Sequence, residues 1–365
     1  MTKKIKFASN GQKEFILELR QKVSDYFEKN NKSKYGNLNL WLKTVFMFSL
    51  FLVPYILMIT GIISTFTPVL ICWILIGAGI AGVGMGIMHD AAHSSYSKYP
   101  RVNRWLGYSM YLLGGFPRNW QYQHNTMHHG FTNIDGHDED IDPGPVLRLS
   151  PHKPLLRVHR YQHLYAWFLY GLMTISWVTT KDFEQLNRYR KEGVKLPGNQ
   201  SYTRMFVNLG IAKLIYYCAF ILVPVIVLPF AWYWILIFFF AMHFTSGLIL
   251  TTVFQTAHVV PTSAYPLPDQ DGNLENNWAV HQLFTTSDFA PGNGLLSWLI
   301  GGLNYQIEHH LFPNISHVHY PEISKIVKET ADKYKLPYYV QSGFLKAVYQ
   351  HGKMLRMLGR SESLA

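Results

Sequence analysis

Three short segments of this 365-residue chain hold seven of its 17 histidines. His89-Asp-Ala-Ala-His93 comes first, His124-Asn-Thr-Met-His128-His129 follows, and Gln306-Ile-Glu-His309-His310 lies far downstream. Uniform scatter would place fewer than one histidine there, so the clustering requires a cause. Residues four apart on a helix project from one face, so His89 with His93, and His124 with His128, can each grip one ion. The adjacent pairs His128-His129 and His309-His310 diverge, so each can serve two nearby ions. Neutral imidazole suits iron, copper, zinc and nickel, and the donor set alone does not choose among them. A two-metal centre is the simplest chemistry these residues offer.

Other chemistries fit less well. The two cysteines, Cys72 and Cys218, lie in apolar stretches and cannot supply an iron–sulfur cluster, a Cys-rich zinc site or a disulfide framework. A b-type haem needs two facing histidines within membrane spans, whereas these stand at or beyond span ends. Asp138-x-Asp140-x-Asp142 copies the start of a calcium loop, but Pro143 stands where glycine is required and Leu149 where the bidentate Glu should be. Asp138 and Asp140, with Asp90 and Glu308, are better read as acceptors for the second N–H of ligating imidazoles. His137, His152, His159, His163 and His351 read as structural. His243, near mid-bilayer, reads as bonded to a neighbouring Ser or Thr.

The elements that must position these residues are helices in a membrane. No Lys, Arg, Asp or Glu occurs from Thr44 to His89 or from Leu214 to Pro268, and a span needs about 20 apolar residues. Each blank region therefore holds two spans and a short turn, at about 42–63 and 67–88, then 206–228 and 232–255. Lys213 falls in the first two turns of the third span and can snorkel. All 33 Lys and Arg lie in 1–43, 90–213 and 259–365, so the positive-inside rule places both termini and the central region in the cytoplasm. The fold class expected is an all-α integral membrane protein: four transmembrane helices in two hairpins, with a cytoplasmic helical cap (1–41, 89–205 and 256–365) carrying a di-metal histidine site. Residues 1–365 read as a single domain. Within the cap, 12–29 and 321–335 read as helices, and 102–116 and 161–179 as helices lying at the interface. The N-terminus lacks a cleaved signal's apolar core. The net charge of +11 is matched by no nucleic-acid motif and suits anionic headgroups or an anionic substrate.

Three histidine boxes in this order, two of them following the second and fourth apolar regions, resemble the membrane fatty acid desaturase family. QIEHHLFP, with Gln in place of the first His, is similar to the front-end (delta-5, delta-6 and sphingolipid delta-8) branch. The likeness covers roughly 45–330, through GFPRNWQYQHNTMHHGFTN, GHDEDID, FQTAHVV and NYQIEHHLFPNISHVHY. It implies a di-iron centre held by His89, His93, His124, His128, His129, His309 and His310. His258 in FQTAHVV matches a further family ligand. Gln306 would bind iron directly or through water. His317 and His319 would stand behind the ligands, and His281 beside Gln282 would not be a ligand. Trp120 and the aromatic 161–178 segment are candidate walls of an acyl tunnel.

The resemblance further implies that two irons, reduced by two electrons, activate O₂ to insert a cis double bond into a fatty acyl-CoA or acyl lipid, chemistry beyond any side chain. Purified protein could carry zinc in iron's place. The sequence has no His-Pro-Gly-Gly motif of a fused cytochrome b5, so a separate donor, ferredoxin or cytochrome b5, is expected, in a bacterial inner membrane or endoplasmic reticulum. The alternatives are a related di-iron hydroxylase or ketolase and a non-catalytic metal-binding membrane protein or transporter.

Overall fold

The computed structural model describes residues 5–8, 12–198 and 200–360. Among the described residues, four helices are long and apolar enough to cross a bilayer: Leu38–Ile59, Phe66–Ala92, Tyr202–Val227 and Trp232–His258. A helix satisfies its own backbone hydrogen bonds, which is what a lipid environment demands of an apolar segment. The spans differ from expectation mainly at their ends. The first begins earlier and stops before Gly61, whose φ of 76° turns the chain. The second and fourth run on through His89 and His258, carrying these imidazoles on their last turns.

By compactness the chain divides into two units. One comprises the described parts of Met1–Asn37 and Val253–Ala365, with Gln123–Ala166; the other comprises Leu38–Tyr122 and Trp167–Thr252.

The second unit is built on apolar helix contacts. Trp73, Ile76, Phe238 and Met242 are buried in one cluster with Phe220 and Tyr216. A Cβ on Gly77 would fall 2.3 Å from the Met242 carbonyl oxygen, so glycine permits this close approach. Lys213 departs from expectation. The third span starts at Tyr202, which puts Lys213 a further turn inside the helix, and its ammonium is buried instead of snorkelling. Nζ donates to Asp182 Oδ2 at 2.6 Å, to the Trp177 carbonyl at 2.7 Å and to the Gly114 carbonyl. His243 bonds Thr174 Oγ1 at 3.0 Å, as expected, and Tyr216 Oη at 3.2 Å.

The first unit has its own core. Phe15, Leu19 and Val23 on helix Lys13–Lys29 pack with Val280 and Leu283, with Ile307 and Leu311, and with Ile323 and Val327 on helix Tyr320–Lys333. Complete burial of such side chains stabilises by about 1.5–3 kcal/mol each. Two short parallel pairings add strand to an otherwise helical chain: Lys6–Phe7 with Asn273–Leu274, and Asp288–Phe289 with Val340–Gln341. Arg148 is buried and donates to the carbonyls of Lys153, Leu358 and Pro151, which ties the helix Phe344–Leu358 to the loop after the second box.

Candidate metal centre

The second box does not lie on a regular α-helix. Tyr122–His128 is π-wound and passes into a short turn, His129–Phe131. A π-helix is wound more widely than an α-helix, with i→i+5 hydrogen bonds, and such segments concentrate at functional sites. His129 lies as near His124 as His128 does: the ring centroids are 4.7 Å apart for His124 and His129 and 5.5 Å apart for His124 and His128, and His124 Nε2 lies 3.2 Å from His129 Nε2. The i,i+4 pair read from the sequence is present, and the π-winding adds His129 to it.

Six imidazoles of the first unit converge. His128 lies 4.7 Å from His258 and 4.8 Å from His310, centroid to centroid, and His258 lies 4.8 Å from His310. His129 sits 4.5 Å from His309 and 4.4 Å from His310. His124 stacks on His309 at 5.8 Å. Potential ligand atoms of His128, His258 and His310 all lie within 4.8 Å of one another, as do those of His129, His309 and His310, and those of His124, His128 and Asp140. His310 and His128 each belong to two of these groups, so the groups run into one another.

The backs of the rings are held by other residues. His128 Nδ1 faces both oxygens of Asp138, at 3.1 and 3.2 Å. His258 Nδ1 faces the Thr285 carbonyl at 3.4 Å, His309 Nδ1 the Tyr320 hydroxyl at 3.4 Å, and His310 Nδ1 the Gln282 Oε1 at 2.8 Å. With Nδ1 engaged outward, Nε2 turns into the cluster. Burial pushes the His128 imidazole down in pKa, but Asp138 and Asp140 outweigh it and hold the ring above its ordinary value. Asp138 is itself fixed by the backbone N–H groups of Asn133 at 2.8 Å and Asp140 at 3.0 Å. Asp140 accepts from Gln123 and stands 3.7 Å from His128 Nδ1. Asn133, in the left-handed region at φ 58°, donates to the His258 carbonyl at 3.0 Å and so joins the second box to the end of the fourth span.

The donor set fits metal. His128 Nε2 and His258 Nε2 are buried with no hydrogen-bond partner among the described residues. Leaving such an atom unsatisfied costs about 1–3 kcal/mol, which a cation at that point removes. Gln306 is buried beside His258, and neither amide atom makes a well-formed hydrogen bond among the described residues.

The remaining candidates divide. In the second unit, His89 and His93 pair at 4.9 Å, centroid to centroid, and Trp120 meets both edge-on at 5.9 and 6.5 Å. Asp90 is buried on the same turn, within electrostatic reach of Lys43. Glu308 departs from its expected role. Next to His309 on a helix it must point elsewhere, and it meets Asp288 and the Tyr338 hydroxyl, the latter at 3.0 Å, instead of an imidazole. Burial raises both carboxyls, Asp288 to about 6. Asp288 also accepts from the Ile307 N–H at 3.0 Å, which fixes the start of helix Gln306–Leu311. His317 is packed against Gly302, whose φ of 69° and tight contact admit no Cβ. His319 bonds the Tyr35 carbonyl at 3.1 Å and meets Phe27 edge-on, contacts that secure the N-terminal segment. His281 Nε2 donates to the Thr132 carbonyl at 2.8 Å, which turns that nitrogen away from a metal. Sequence reasoning missed the work of Thr132, Gln282, Asp288 and Tyr338; the run GFTN after the second box and the Gln of HQLF were its available signals.

Four bilayer-length helices and a polyhistidine cluster define a membrane protein with a candidate metal centre. The family model described as fatty acid desaturase matches residues 64–342, and the chain belongs to that family. It is 32% identical to the sn-1 linoleoyl-lipid 6-desaturase of Arthrospira platensis, over 94% of this chain and 92% of that protein. It is 32% identical to the acyl-lipid (8-3)-desaturase of Physcomitrium patens, over 98% of this chain and 74% of that one. A probable Delta(5) fatty acid desaturase C of Dictyostelium discoideum is 29% identical over 96% of this chain and 77% of its own length. The chain is an enzyme of lipid metabolism, a fatty acid desaturase.

Proposed function

We propose that this chain is an O₂-dependent di-iron desaturase that inserts a cis double bond into an acyl lipid or acyl-CoA, between an existing double bond and the carboxyl end. The observation that carries the reading is the convergence of six imidazoles, four of them held from behind at Nδ1. The relatives' names, 6-desaturase, (8-3)-desaturase and Delta(5) desaturase, support front-end selectivity. The residues assigned to the metals are His124, His128, His129, His258, His309, His310 and Gln306, with His89 and His93 assigned on the family motif. Iron is favoured over the other metals that imidazole accepts because removing hydrogen from an unactivated methylene demands a strong oxidant, which a reduced di-iron centre with O₂ supplies.

The chain's own residues have distinct tasks in this reading. Asp138 stabilises the partial positive charge His128 acquires on ligation. The buried core around Ile307 and Leu311 fixes the third box and keeps bulk water from it. Trp120, edge-on to His89 and His93, is assigned to the wall that positions the acyl chain. Electrons come from a separate ferredoxin or cytochrome b5. The distribution of basic residues supports a multi-pass arrangement with both termini and the histidine boxes cytoplasmic, in a bacterial inner membrane or endoplasmic reticulum, and residues 1–365 acting as one desaturase domain.

The test is expression in a host of defined lipid composition, fed linoleate, followed by mass-spectrometric location of new double bonds. A new cis bond on the carboxyl side of the existing ones is expected. A hydroxylated or keto product, or an unchanged acyl pool with a competent donor present, would overturn the reading.

A further inference from the structure

Gln282 lies on helix Trp278–Thr285, outside all three boxes, and is completely buried. Its side chain nevertheless touches two of them. Oε1 accepts from His310 Nδ1 at 2.8 Å and from the Thr132 hydroxyl at 2.9 Å. Nε2 faces the His129 carbonyl at 3.4 Å. Thr132 Oγ1 also lies 2.7 Å from the His128 carbonyl and 3.3 Å from His310 Nδ1. One amide thus connects the main chain of the second box to an imidazole of the third.

We propose that Gln282 is a positioning residue for the metal centre: it fixes His310 as the Nδ1–H tautomer, aims Nε2 at the metals, and locks the second and third boxes in register. Among the four rings whose backs are identified, His258 and His309 contact their acceptors at 3.4 Å and His128 is held by a carboxylate. Of these four, His310 is the ring held by a neutral side-chain amide at close range, and like His128 it belongs to two ligand groups. With Nδ1 carrying the proton, the ring has a single donor nitrogen, Nε2, for a metal, so rotation misdirects its one lone pair and the short bond behind it prevents that. The atom His310 needs is the Oε1 acceptor, which a carboxylate of the same length also presents, whereas the amide Nε2 reaches the His129 carbonyl only at 3.4 Å. Residues holding the far nitrogen of a ligating histidine typically govern metal affinity by 10–100-fold.

The inference rests on His310 being a ligand, and the experiment separates the two claims. The probe is cobalt(II) added to chelator-stripped protein in detergent, read by titration and by the visible absorption of the bound ion. His310→Ala tests the centre itself. Gln282→Asn withdraws the acceptor by one methylene, Gln282→Leu removes it, and Gln282→Glu keeps it. Asn and Leu are expected to weaken cobalt binding 10–100-fold and to alter its spectrum, with Glu remaining within about threefold of wild type. If the Leu variant does not accumulate, the Asn variant carries the comparison with Glu. Wild-type affinity in the Asn variant, or a Glu variant that binds as weakly as Asn, overturns the role of Gln282. Unchanged cobalt affinity in His310→Ala overturns the centre instead.

Discussion

Asp138 stands directly behind His128, with both carboxylate oxygens within 3.2 Å of the ring's Nδ1 and its side chain wholly buried. Two backbone N–H groups hold that carboxylate in place. The arrangement gives His128 one orientation and one tautomer, and it explains why an acidic run follows the second box. Asp138→Ala removes the orienting group and leaves two N–H donors short of an acceptor. Metal affinity should fall 10–100-fold while the chain still accumulates in membranes, as checked by metal analysis after dialysis against a graded chelator.

His128 and His309 share no ligand group of the cluster. His128→Ala and His309→Ala should each abolish formation of new double bonds, with membrane-inserted protein at wild-type level. Product analysis beside immunoblotting of the membrane fraction checks this. Retained conversion in both variants would remove these rings from the centre.

The Lys213–Asp182 pair predicts a stability effect with a sign that reverses. Lys213→Met leaves Asp182 buried and uncompensated, which should cost about 3–5 kcal/mol. The double variant Lys213→Met with Asp182→Leu should recover most of that loss, because an apolar pair of similar volume needs no desolvation. Thermal unfolding in detergent measures both, and additive losses in the double variant would contradict the pairing.

His351 gives a pH dependence. It is buried against the Val259 carbonyl at 2.8 Å, and burial pulls its pKa from 6.5 down to about 4. Between those values the unfolded chain binds a proton that the folded chain does not, so folding stability rises with pH. The contribution is fully present above about 6.5 and is lost as pH falls toward 4, on the order of 3 kcal/mol in all. His351→Gln, which cannot titrate, should flatten the acid side of a stability-against-pH curve relative to wild type. Parallel curves for the two proteins would refute the assignment.

Much of this architecture was legible in the chain. Uncharged stretches from Thr44 to His89 and from Leu214 to Pro268 leave little besides paired spans, because each charge in lipid is expensive. The histidine boxes were legible because seven imidazoles in three short segments have no common structural use. The acceptor role of Asp138 followed from its nearness to the second box. Lys213 was misjudged because its partner, Asp182, is 31 residues away and pairs only through the fold. Glu308 was misjudged because adjacency to His309 in sequence means divergence on a helix. The π-winding of Tyr122–His128 was invisible, since no residue type specifies it, and Gln282 became legible only when its helix was seen against Thr132 and His310.

The central claim is a two-metal centre built by the histidine boxes, and metal stoichiometry tests it most directly. Wild-type chain and a His128→Ala, His309→Ala double variant, purified from iron-replete cells, should be compared by mass spectrometry of bound metal per chain. Two metal ions per wild-type chain, mainly iron, and a near-complete loss in the double variant are expected. Wild-type protein that holds no more metal than the double variant would contradict the account.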